Sequence, residues 1–283
     1  MNKYYFTMLG LKLLLQTPNP LEISQRLLPF VSAPHKEGVD CTIRVQIKNT
    51  LPQPEESGLW HGLECYDHKQ DALRIFHCHS FHAEPFAVTI IDGKGNIAVT
   101  VQPDYADYFS GSSGLFNRIG MENMLLQHSG LLLHASLIKY ADSGIAFTGP
   151  SGIGKSTQAD LWEQAFGAEI LNGDRAALRK TPDGWVCYGS PYAGTSGIYK
   201  NENAPLKAIV ILRQAPQNSL RPIGFSEAFP LIWPELSLRR WDADFVEKAM
   251  ELCGALLADV PVYLLECLPE ESAAKLLKEG LSL

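Results

Sequence analysis

The chain has 283 residues, 46% of them hydrophobic, with a formal charge of −7 and a pI near 5.6. That is enough apolar material for one large domain or two modest ones, and the acidic balance excludes a surface built to coat nucleic acid or anionic membrane, which needs clustered Lys and Arg. No segment approaches the ~18 uninterrupted apolar residues of a membrane helix; the six cysteines, Cys41, Cys65, Cys78, Cys187, Cys253 and Cys267, lack the short paired spacings of a zinc site or a disulfide scaffold, so free thiols, a soluble chain and a cytoplasmic location are expected.

Residues 4–16 read as a first strand, because Lys12 interrupts the apolar run and no small-residue cleavage site follows, which argues against a signal peptide. A short helix is expected over 21–30 and an alternating strand over 41–47. Runs 63–67 and 73–79 flank a polar turn, and 86–91 and 96–102 flank Asp92-Gly93-Lys94-Gly95, a strong hairpin signal. His77, Cys78, His79 and His82, with His61, Cys65 and His68 nearby, match no zinc framework, since on a strand His77 and His79 face one way and Cys78 the other. Residues 1–110 therefore read as a smaller, mainly β module of unknown role, and the Ser- and Gly-rich stretch 103–114 as a linker.

From 115 onward helices mix with apolar strands, which indicates an α/β domain over 115–283. Helices are expected over 115–127, 157–166, 243–258 and 270–279, the second stopped by Gly167. Strands are expected over 131–139, 144–148, 169–171, 185–188, 206–213 and 262–267; pattern alone leaves open whether their sheet is parallel or mixed.

The stretch Gly149-Pro150-Ser151-Gly152-Ile153-Gly154-Lys155-Ser156 is a full Gly-x-x-x-x-Gly-Lys-Ser phosphate loop between a strand and a helix. Its glycines let successive N–H groups turn inward on phosphate oxygens, and the following helix presents its positive end to the same anion. Gly149, Ser151, Gly152, Ile153, Gly154, Lys155, Ser156 and Thr157 are the expected ATP-binding residues, with Lys155 on the terminal phosphates and the Ser156 hydroxyl on magnesium. Asp174, after the strand at 169–171, reads either as a metal-holding carboxylate or as a surface-turn aspartate in Asn-Gly-Asp. His134, in an apolar run, reads either as a hydrogen-bonded core residue or as a site residue, and Arg175 either neutralises developing charge or makes a surface ion pair. The hydroxyl-rich segment 189–197 is a lid over the phosphates or an ordinary turn cluster.

Three ordered motifs, His134-Ala135-Ser136-Leu137-Ile138, the loop Gly149 to Ser156, and Asn172-Gly173-Asp174-Arg175, resemble the C-terminal catalytic domain of HPr kinase/phosphorylase, a bacterial serine kinase akin to phosphoenolpyruvate carboxykinase. The resemblance covers roughly 125–215, with a looser echo at Val260-Pro261-Val262-Tyr263. It implies a P-loop core with a mixed sheet, Lys155 and Ser156 on nucleotide phosphates and Mg2+, Asp174 as the metal-associated aspartate, and His134 as the active-site histidine. The chain departs from the pattern in three places. Gly173 stands where the family has its first, acid-base aspartate, Thr157 replaces a glutamate, and the later Arg-rich signature used with HPr has no counterpart, which argues against HPr itself as partner.

The leading expectation is an ATP-dependent, Mg-requiring phosphotransferase acting on a hydroxyl of a peptide, protein or small molecule, with Asp174, His134, Lys155 and Arg175 as its catalytic residues. The alternatives are a nucleotide-binding regulatory or scaffold protein without transfer activity, and a phosphorylase or hydrolase at the same site. A homo-oligomer is compatible with the sequence.

Overall fold

A computed structural model describes residues 1–109, 115–116 and 118–283. The chain divides into two units, Met1–His128 and Ser129–Leu283. Both are built on mixed sheets, with few helices among the described residues.

The first unit is an eight-stranded sheet of β1 (Asn2–Met8), β2 (Leu11–Thr17), β3 (Cys41–Ile47), β4 (Leu59–His61), β5 (Glu64–Lys69), β6 (Ala72–Cys78), β7 (Pro85–Ile91) and β8 (Ile97–Val101). Their spatial order is β1-β2-β3-β8-β7-β6-β5-β4, with β3 parallel to both β2 and β8 and the other pairs antiparallel. The expected single strand over 4–16 is in fact a hairpin, because Leu9 and Gly10 both take positive φ, the two-residue turn that matches strand twist. Leu9 is buried, and its packing holds a non-glycine residue in that region. The expected helix over 21–30 reduces to a single 3-10 turn, Leu28–Phe30, with Pro29 in its first positions. Asp92 fixes the predicted hairpin by accepting from the N–H groups of Lys94 and Asn96. The expected linker at 103–114 begins with a 3-10 helix, Pro103–Phe109, and its remainder lies outside the described residues. Of the helix expected over 115–127, residues 115–116 and the segment α1 (Met121–Gln127) are helical and 118–120 form a turn, while position 117 lies outside the described residues. A buried charge pair in this unit is bidentate: Arg74 donates to both carboxylate oxygens of Asp67 at 2.5 Å, and the Glu55 N–H donates to the same group.

The second unit holds β9 (Gly130–Tyr140), β10 (Ser143–Thr148), α2 (Lys155–Phe166), β11 (Glu169–Asn172), β12 (Arg175–Thr181), β13 (Gly184–Tyr188), β14 (Asn203–Gln214), β15 (Ser219–Ile223), α3 (Phe225–Ile232), α4 (Ala243–Asp259), β16 (Val262–Cys267) and α5 (Glu271–Gly280). The sheet runs β10-β9-β12-β13-β14-β16-β15, with β11 added on β9 and β10 also paired to β14. Pairs β10/β14 and β14/β16 are parallel and the rest antiparallel, so the sheet is mixed. Neither β15 nor α3 is evident in the sequence pattern. Pro222 is tolerated because β15 pairs only with β16 and is an edge, and Pro230 interrupts what otherwise reads as an apolar helix.

Helix α2 packs Ala159 and Trp162 on Ile145, Phe147, Val210 and Leu212, and α5 covers the same core with Ala273, Ala274 and Leu277. Gly167 ends α2 in the left-handed region, its N–H bonded to the Glu163 carbonyl and that of Ala168 to the Trp162 carbonyl. Asp242 caps α4 by accepting from the Phe245 N–H at 3.1 Å. Among the described residues no helix is long and apolar enough to cross a membrane.

All six cysteines are free and buried. Burial pushes the Cys41 and Cys187 thiols up to about 12 and those of Cys78 and Cys253 to about 11, and raises Cys65 and Cys267 as well. Thiolate is the reactive form. The folded protein should therefore show no fast-reacting thiol towards Ellman's reagent at mildly alkaline pH and titrate six after unfolding in urea; a rapid native-state burst would contradict this packing.

Candidate active site

Strand β9 assembles the site by carrying β12 on one edge and β10 on the other. Gly130–His134 pair with β12, whereas Ala135–Tyr140 pair with β10. Mid-strand, Ala135 lies opposite Thr148, the last residue before the glycine-rich loop, on one edge, while His134 lies opposite Arg175 on the other. Two further bonds tighten this junction: the Ala135 N–H donates to the Asp174 carbonyl and the Thr148 hydroxyl to the His134 carbonyl, each at 2.9 Å. A third segment docks where β10 has ended, through a bridge between Leu133 and Leu236 and a Ser237 N–H bond to the Leu132 carbonyl. Stretches distant in sequence thus meet around one side chain, His134.

The loop from Gly149 to Gly154 leaves β10 and enters α2 through positive φ at Gly152 (79°) and Gly154 (114°), values that an L side chain resists. No side chain caps α2 at Gly154, so its first-turn amides are left for another acceptor. Ser151, Ser156 and Thr157 are exposed on the loop and the first turn. Lys155 is buried, at 7% exposure, and folds back over the loop: its Nζ donates to the carbonyls of Gly149 at 2.8 Å and Pro150 at 3.2 Å. Burial lowers the Lys155 pKa, and the negative charges of Glu235 and Asp174 partly offset the shift. The ammonium therefore feels both carboxylates of the site.

His134 Nδ1 lies 2.8 Å from Glu235 Oε2, and its Nε2 is 3.6 Å from Asp174 Oδ1. The imidazole thus stands between two carboxylates, with Glu235 at Nδ1 and Asp174 on the Nε2 side. Glu235 is the most enclosed of the three, its side chain 12% exposed against 29% for Asp174 and 32% for His134. Arg175 is mostly outside this group. Its Nε is 3.8 Å from Asp174 Oδ2, but its guanidinium donates to the Ser237 hydroxyl and lies over the Tyr192 ring.

Asn172, fully buried, fixes the turn that presents Asp174. Its Oδ1 accepts from the N–H groups of Asp174 (2.9 Å) and Arg175 (2.6 Å), and its Nδ2 donates to the carbonyls of Ser190 and Tyr192. The segment 189–197 is thereby tied to the same turn. A Cβ at Gly173 would lie 2.0 Å from Ser196 Oγ, and one at Gly194 would lie 2.7 Å from Asp174 Cγ. The space where a side chain at 173 would begin is filled by Ser196, whose hydroxyl donates to the Ala193 carbonyl.

Lys155, His134 and Asp174 are brought together, with Ser156 on the helix that carries Lys155. Sequence reading missed Glu235, which follows Pro234 in a 3-10 turn, Trp233–Glu235, and belongs to no motif. It also missed Asn172, for which the signal was available: an Asn at a strand end before Gly-Asp is a turn former whose side chain bonds the backbone two residues on.

No family model matches the sequence, and no curated protein matches it significantly. Among solved structures, the Hpr(Ser) kinase/phosphatase from Coxiella burnetii is similar at 13% identity with a TM-score of 0.33, covering 53% of this chain and 89% of that one. The likeness is distant, and the reading of the site stands on its own residues.

Gly173→Ala should destabilise the fold by about 1–3 kcal/mol through overpacking against Ser196, and Ser196→Gly, which removes both clashing atoms, should restore most of the loss in urea denaturation. A neutral Gly173→Ala would show that the two segments are not in contact.

Proposed function

We propose that this chain is an ATP-dependent, Mg-requiring phosphotransferase acting on a hydroxyl of a peptide, protein or small molecule. The observation that carries the reading is the convergence of Lys155, at the end of a glycine-rich loop, with His134, Asp174 and Glu235. Loop amides and Lys155 would hold the phosphates, the lysine exchanging its bonds to the Gly149 and Pro150 carbonyls for phosphate oxygens. The donor set fits magnesium, because the Ser156 hydroxyl and the Asp174 carboxylate are hard oxygen donors and this ion uses one or two protein ligands beside phosphates and water. Magnesium, when bound, would neutralise charge on the phosphates.

The acid-base work falls to His134. Glu235 holds the ring through Nδ1, so Nε2 accepts the proton of the acceptor hydroxyl as its oxygen bonds the terminal phosphorus and the nucleoside diphosphate departs. The carboxylate at 235 thereby supports a role for which position 173, a glycine, has no side chain. A second reading, nucleotide binding without transfer, is favoured by Gly173 and the Ser196 packing on it.

The test is transfer of labelled phosphate from Mg-ATP to a panel of hydroxyl acceptors. Lys155→Ala should lower transfer by about 100-fold or more, and Glu235→Gln by about 100-fold with a shifted pH profile, since the amide keeps the contact without the charge. Undiminished transfer by Lys155→Ala would sink the proposal, and tight ATP binding without transfer to any acceptor would favour the second reading.

A further inference from the structure

The hydroxyl-bearing segment 189–197 lies against the site on the side of Asp174 and is tied down at both ends. Asn172 Nδ2 donates to the carbonyls of Ser190 and Tyr192, Asn172 forms a bridge with Tyr199, and the Lys200 N–H donates to the Leu171 carbonyl. Between these ties residues 194–197 are exposed, and Gly194 and Gly197 take positive φ (53° and 69°). Such glycines let a short turn pivot about fixed ends without steric cost.

The tip of this turn touches the carboxylate beside His134. A Cβ at Gly194 would be 2.7 Å from Asp174 Cγ and 3.1 Å from Asp174 Oδ1, the oxygen that lies 3.6 Å from His134 Nε2. Two residues on, Ser196 Oγ stands against Gly173, 2.0 Å from where a Cβ there would lie. The two serines of the segment differ in what they can do. Ser190 is fully buried and its hydroxyl donates to the Arg175 carbonyl, whereas Ser196 is exposed, its hydroxyl donating to the Ala193 carbonyl and accepting from the Ile198 N–H. Turning the Ser196 hydroxyl outward breaks two bonds within the turn and disturbs no strand.

We propose that Ser196 is an intrinsic phosphoryl acceptor, so that the site phosphorylates its own chain, in cis, on this hydroxyl. The proposal rests on the phosphotransferase reading of the site and names one acceptor for it. In the step, Ser196 Oγ bonds the terminal phosphorus of ATP, the bond from that phosphorus to its bridging oxygen breaks, ADP leaves with the electron pair, and the hydroxyl proton passes to His134 Nε2. Because the segment is fixed on both sides of residues 194–197, the hydroxyl is held near Asp174 at a high effective concentration, which favours transfer within a chain over transfer between chains.

Incubation of the phosphatase-treated full chain with saturating labelled Mg-ATP and no added acceptor tests it. A single phosphate should appear, map to Ser196 by peptide mass spectrometry, and form at a rate per chain that is unchanged by about tenfold dilution, as transfer in cis requires. Ser196→Ala and Lys155→Ala should each lose the label. Label that maps elsewhere, persists in either alanine variant, or slows in proportion to dilution would overturn the assignment. So would an unlabelled wild type; if that protein still phosphorylates an external hydroxyl acceptor, the phosphotransferase reading stands and the intrinsic site falls. If it binds Mg-ATP but labels neither itself nor any acceptor, both fall together.

Discussion

The pairing of β9 on both of its edges around His134 and Ala135 is the constraint on which the second unit depends. A strand has two edges, and β9 uses them for β12, β10 and β11, with the Leu236 bridge added near its start. Register on a strand is all or none, because a shift of one residue sends each side chain to the opposite face. The apolar neighbours of His134, including Leu131, Leu133, Ala135 and Leu137, are buried and fix that register. The packing of the core therefore sets where the imidazole stands relative to Thr148 and Asp174, and the site inherits its geometry from the sheet rather than from flexible loops.

Electrostatics follow from the same placement. A lysine at 7% exposure loses hydration, which disfavours its charge, and Glu235 and Asp174 partly restore it. The Gly149 and Pro150 carbonyls hold the ammonium through direct hydrogen bonds, the partners that a phosphate would replace under the function proposed above. Two carboxylates beside an anionic ligand would by themselves be repulsive. One of them, Glu235, is engaged with a histidine, and under the function proposed above a cation would offset the other.

How much of this was legible in the sequence varies with how local the cause is. The loop and the α2 stop at Gly167 are dictated by neighbours within a few residues, so motif and punctuation were sufficient to place them. The hairpin at Leu9-Gly10 escaped because Leu-Gly is a poor turn signal and the left-handed leucine is held by tertiary burial. The missed α3 has Pro230 within it, and the 3-10 turn that carries Glu235 has Pro234. Glu235 itself reaches His134 across 101 positions, through a bridge formed by its neighbour Leu236, and no local pattern encodes such a meeting.

Gly173 is where these levels intersect. Compared with the motif alone it looks like a missing group, but the segment 189–197 has closed over it, with Ser196 against the bare Cα and Gly194 against Asp174. Asn172 ties that segment to the same turn by bonding Ser190 and Tyr192 with its amide. An aspartate at 173 would have to displace this packing before it could reach a substrate. The absence of a carboxylate at 173 and the approach of the segment are consequently one structural choice: the carboxylate against His134 Nδ1 is that of Glu235, on a turn with Pro234, and Asp174 is held by its backbone bond to a buried asparagine. Any chemistry here has to be run from that arrangement, in which the histidine stands between the two carboxylates.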